Sequence, residues 1–187
     1  MDEIRERAKA WCGEDRNYWV RLPLLVYGVY ILVKILSNDN TRSPLGQICF
    51  GIHELGHIVT MPFGQWIGVA GGSLAQVLAP LFGIWQFLRQ EDFFGAAFCL
   101  SWLAESLLDL SFYIGDARAM DLPLANLFAG DPIHDWNYLL GSMHLLNWDV
   151  RLAGLTRFSA FVFKCEPATF PFAILLDCSG NFHRKIF

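Results

Sequence analysis

His53, Glu54 and His57 stand in GIHELGHIV (51–59), a stretch otherwise made of glycine and aliphatic residues. On a helix, positions i and i+4 share a face, so both imidazoles can turn toward one ion. Zinc takes neutral imidazole nitrogen readily, and a catalytic zinc keeps one position open for water. Glu54, one residue round from His53, is placed to take a proton from that water. The bland alternative is a pair of structural histidines hydrogen-bonded inside a helix bundle. The setting weighs against it, because such groups are costly in an apolar span unless paired, ligated or facing a wet cavity. The helix also divides in two. Cys49, His53, Gly56, His57 and Thr60 form a small or polar face, and Ile48, Ile52, Leu55 and Val59 cover a different, apolar side. Gly56 leaves room for another helix or a substrate to come close.

Two histidines do not complete a catalytic zinc site, which usually takes three protein ligands. Ser101, Glu105, Asp109 and Asp116 fall within about 80° on a helical wheel at 100° per residue. Glu105 and Asp116 would lie about 16 Å apart along a straight helix, so they cannot share one ion. Glu105 and Asp109 match the depth of the histidine pair if their two stretches run parallel. Asp116 stands at the end of its stretch, between Gly115 and Ala117, where a broken helix can turn it inward. His134 and Asp135, in GDPIHDWN, either fold back over the site or start a helix that Asp135 caps. Gln76 and His134 are candidate donors to an oxyanion.

The elements that must carry these residues are apolar and long. The chain has 187 residues, 54% of them hydrophobic and 17% charged, against about 45–50% and 25% for a soluble domain. The excess points to a membrane, and a net charge of −4 argues against nucleic acid, which selects a basic face. Five scattered cysteines without a CxxC pair suggest neither a disulfide framework nor a cysteine zinc site. A first apolar stretch runs from Leu22 to Leu36, with Trp19 and Arg21 at one interface and Lys34 at the other. It reads as a membrane helix better than as a signal peptide, because no small-x-small cleavage site follows. Further stretches cover about 44–63, 66–88 and 93–115, each near the ~20 residues that a span requires. The expected fold is therefore all-α, a polytopic membrane helix bundle with about four spans. A polar segment, 1–21, precedes a membrane-embedded domain, 22–155, and a divergent tail, 156–187, follows it. Basic residues crowd the N-terminus, which places that end in the cytoplasm.

HELGH (53–57) in an apolar span, the Gly71-Gly72 pair and a later aspartate among small residues together resemble the site-2 protease family of membrane-embedded zinc metallopeptidases. The resemblance covers roughly residues 44–140 and has the look of a small bacterial branch. It implies Zn2+ held by His53, His57 and a later aspartate, carried here to Asp116, with Glu54 as general base. It also implies cleavage of membrane-protein or peptide substrates in or beside the lipid bilayer, and a multi-pass location, with the bacterial inner membrane expected. Family members usually show Asp-Gly at the third ligand. This chain has Gly115-Asp116-Ala117 instead. The competing expectation is a non-catalytic scaffold or substrate-binding relative, which zinc content would discriminate. A di-iron oxygenase would need more histidine clusters than five histidines supply, and a transporter would leave the HExxH spacing as coincidence.

Overall fold

The computed structural model describes residues 22–37, 43–122 and 133–163. Among them every regular element is helical, as the composition and spacing lead one to expect: α1 (Leu22–Ser37), α2 (Pro44–Thr60), α3 (Gln65–Arg89), α4 (Phe93–Gly115) and α5 (Asp135–Ser142). A last helix, α6, covers 149–163.

Local sequence sets the boundaries. The Ser43 hydroxyl accepts from the Gly46 amide at 3.0 Å, and Pro44 occupies the first turn, where its missing N–H costs nothing. After Thr60 the chain tightens into a 3-10 turn at Met61–Phe63 and reverses at Gly64, whose φ of +101° suits glycine alone. That reversal makes α2 and α3 an antiparallel hairpin. Asp92 caps α4 by accepting from the Gly95 amide at 3.1 Å, and α4 returns against α3.

The α2–α3 hairpin closes on glycine. A Cβ on Gly56 would lie 2.3 Å from the Gly71 carbonyl oxygen, so the two backbones touch where no side chain fits. The two successive reversals make α2 and α4 parallel. Cross-contacts follow in register: Ser43 donates to Glu105, and the Cys49 thiol meets the Ser106 hydroxyl at 3.2 Å. Tyr27 of α1 donates to the other Glu105 oxygen at 2.8 Å, joining three helices through one buried carboxylate. Thus Glu105 is a structural anchor. The apolar core continues through Ile31, Ala104, Leu108 and Ala160, and through Leu110, Ile114 and Ala153.

Two features bear on the expected spans and boundaries. First, α3 and α4 are the described helices long and apolar enough to cross a bilayer. In contrast, α1 and α2 have 16 and 17 residues, about 24–26 Å at 1.5 Å each. The second stretch falls short because the 3-10 turn and Gly64 end it before residue 63. Second, α6 runs through Thr156 without a break and carries the first residues of the tail as far as 163. Ala153 and Ala160 lie two turns apart on one side of α6 and both enter the core. The segments 1–21 and 164–187 lie outside the described residues.

Candidate metal centre

The HExxH face of α2 points into the bundle. Cys49, His53, Glu54 and Gly56 are buried, whereas Ile48, Leu55 and Val59 are more than half exposed. The two imidazoles meet edge to face, with ring centroids 4.7 Å apart.

Each ring is fixed through its inner nitrogen. His53 Nδ1 lies 3.1 Å from Gln76 Oε1, and His57 Nδ1 lies 2.9 Å from the Gly68 carbonyl oxygen. Both partners are acceptors, so both Nδ1 atoms carry a proton, and in the neutral rings the Nε2 lone pairs face inward. The third group is Asp135. Its Oδ2 lies 2.9 Å from His53 Nε2 and 3.2 Å from His57 Nε2. All three ligand atoms fall within 4.8 Å of one another.

Were both imidazoles neutral, three electron-rich atoms would face each other in a buried place, a repulsion that a proton or a metal ion among them relieves. Two nitrogen or oxygen ligands at zinc's usual bond length and a tetrahedral angle stand ~3.3 Å apart. The two separations to Asp135 Oδ2, 2.9 and 3.2 Å, are close to that. Gly72 of α3 completes the cradle: a Cβ there would lie 2.5 Å from His57 Nε2 and 2.7 Å from His53 Nε2. The donor set therefore fits a tetrahedral divalent metal with one position left to solvent or substrate. Burial alone would raise the Asp135 carboxyl. In the metal-free chain a proton on a histidine Nε2 is shared with Asp135 Oδ2, and its hydrogen bond and charge outweigh burial and hold the carboxyl below the ordinary carboxylate value; a metal ion would take that proton's place. Glu54 is buried next to the pair, and its charge reaches both His57 and Tyr113.

Asp116, the third ligand carried over from the family resemblance, is not in this group. It caps α4, accepts from the amides of Asp121 and Leu122 at 2.9 and 3.1 Å, and lies 3.3 Å from His134 Nε2. His134 accepts from the Asn137 amide at Nδ1, so its Nε2 proton faces Asp116. Asp116 is thus one side of a latch. The Asp135 amide donates to the Tyr113 hydroxyl at 3.0 Å, the Asn137 side chain donates to the Ala117 carbonyl at 2.8 Å, and the Trp136 indole donates to Ser73 at 3.2 Å. Together these bonds dock α5 on α3 and the end of α4, with Asp135 facing the histidines. His134, not Asp135, is the cap of α5.

Among the other candidates, Asp109 accepts from Gln76 and Glu105 is held by Tyr27 and Ser43. Neither belongs to the ligand group. Gln76 and His134 spend their donors on Asp109 and Asp116, which leaves neither free for an oxyanion. The two residues that sequence reasoning passed over are Gly68, a backbone acceptor with no side-chain signal, and Tyr113, whose ring lies between His53 and His134 with centroids 6.0 and 4.4 Å away. Tyr113 stands four residues beyond Asp109, on the wheel face that carries the acidic residues. Comparison with protein-family models, curated proteins and solved structures returned no match for this chain.

Proposed function

We propose that the chain is a membrane-embedded zinc metallopeptidase in which His53, His57 and Asp135 hold the metal and Glu54 is the general base. The observation that carries this reading is the convergence of two Nε2 lone pairs and one carboxylate oxygen, with both Nδ1 protons already committed to Gln76 and Gly68. A zinc ion held there supplies Lewis acidity, polarising a carbonyl and making hydroxide available at neutral pH. Glu54 takes the proton of the attacking water and passes it to the departing amine, a contribution worth on the order of 10²–10⁴ in rate. A peptide bond suits this reaction class because hydrolysis needs both a polarised carbonyl and a protonated leaving nitrogen.

The membrane part rests on the outward faces. Leu74, Leu78, Phe82 and Trp85 run along α3 at helical spacing, all at least half exposed, and α2 turns Ile48, Leu55 and Val59 outward. Exposed apolar stripes of this extent match a lipid environment rather than water. We read α1 and α2 as completing a bundle with the two longer helices, so that substrates are membrane proteins or peptides at the bilayer.

The test uses the full chain purified in detergent and then reconstituted in liposomes with a fluorogenic single-span peptide. Wild type and Glu54→Gln should each hold one zinc, and His53→Ala and Asp135→Ala should hold none. Cleavage should occur with wild type only. Absence of stoichiometric zinc in the wild-type chain would overturn the reading and favour a non-catalytic relative.

A further inference from the structure

The two histidines are not held alike. His57 leans on a backbone carbonyl, whereas His53 leans on a side chain that is itself anchored. Gln76 is 3% exposed and lies one turn beyond Gly72 on α3. Its oxygen faces His53 Nδ1 at 3.1 Å, and its amide nitrogen donates to Asp109 Oδ2 at 3.2 Å and to the Ser106 carbonyl at 3.4 Å. These bonds fix which end of the amide is oxygen. A reversed amide would put two donors against His53 Nδ1–H and an oxygen against a carboxylate.

We propose that Gln76, oriented by Asp109, is a positioning residue that holds His53 in the metal-binding tautomer and raises its basicity as a ligand. This rests on the assignment of His53 to the metal. The physical argument is charge relay by polarisation. A carboxylate accepting from one end of an amide draws electron density to the other, which strengthens the acceptor facing Nδ1–H and the lone pair on Nε2. The carboxylate stays two bonds away from the imidazole, so the aid comes without a second anion against the ion. Asp109 thereby gains a role that does not require ligation.

The experiment measures zinc affinity by chelator competition and records the visible spectrum of the cobalt-substituted chain. Gln76→Leu and Gln76→Met remove the acceptor while suiting an apolar interior. Each should weaken zinc binding by roughly 10–100-fold and shift the cobalt bands. Gln76→Glu should restore affinity to within about threefold. The new side chain still offers an oxygen to His53 Nδ1–H. A purely packing role predicts the opposite order, with Leu and Met tolerated and Glu harmful. Wild-type affinity in both the Leu and Met variants would overturn the inference. In that event, loss of metal from His53→Ala would leave the metallopeptidase reading standing, and its retention would sink both.

Discussion

Asp135 Oδ2 and His53 Nε2 lie 2.9 Å apart although 82 residues separate them in the chain. Asp116 and His134, 3.3 Å apart, help hold the start of α5 against the end of α4. Asp116 and Asp135 therefore have different tasks, and substitution should separate them. Asp135→Ala removes a ligand atom and should cost more zinc affinity than loss of an outer hydrogen bond does. Asp116→Asn keeps one acceptor oxygen and loosens the latch, so affinity should fall only about 10-fold. Chelator competition on both variants checks this, and a larger loss from Asp116→Asn than from Asp135→Ala would contradict the assignment.

Gly72→Ala is a test of the cradle rather than of the fold. Its Cβ would meet the ring ends of His57 and His53, at 2.5 and 2.7 Å. Side-chain ends can swing aside, so the helix pair survives while the rings lose their common focus. Zinc affinity should fall by about 100-fold, and the thermal midpoint of the metal-free protein in detergent should move little.

Gly56→Ala should do the reverse. Its Cβ would lie 2.3 Å from the Gly71 carbonyl oxygen and 2.6 Å from Ala75 Cβ. A backbone oxygen cannot step aside, so α2 and α3 must separate. Forced overpacking of this kind costs typically ~1–3 kcal/mol. A lowered thermal midpoint of the metal-free protein is the expected result.

The histidine pair and its partition into polar and apolar faces were legible because one helix carries both, and the i, i+4 rule needs no tertiary knowledge. The third ligand was not. Asp135 arrives from a separate element, and nothing in local spacing distinguishes it from Asp116, which shares a wheel face with Glu105 and Asp109. The all-helical class followed from long apolar stretches. Helix lengths were less legible, since apolar runs do not reveal that Gly64 and a 3-10 turn end α2 early. Nor does the sequence say what Gly71 and Gly72 pack against. In the structure they are two adjacent contact points on one helix, Gly71 against Gly56 and Thr60, Gly72 against the histidines.

Arg118 and Asp149 provide a pH-dependent tie beside the latch, between the turn after α4 and the start of α6. Arg118 Nε donates to Asp149 Oδ2 at 2.6 Å, and the carboxylate also accepts from the Val150 amide at 2.7 Å. Burial, the largest single influence, pushes the Asp149 carboxyl up. The Arg118 hydrogen bond, the backbone amide and the guanidinium charge together outweigh it and hold the group below the usual carboxylate range. A carboxyl whose pKa is lower in the folded than in the unfolded chain stabilises the fold above its unfolded value and loses that contribution as pH falls through the folded one. The tie is thus fully present at pH 7 and fades below about pH 4. Asp149→Asn should lower the thermal midpoint at pH 7, and the gap from wild type should narrow steadily as the buffer is taken below that point. A gap that stayed constant down to strong acid would show that the ion pair contributes no charge-dependent stability, and Asp149 would then serve only through its neutral hydrogen bond to the start of α6.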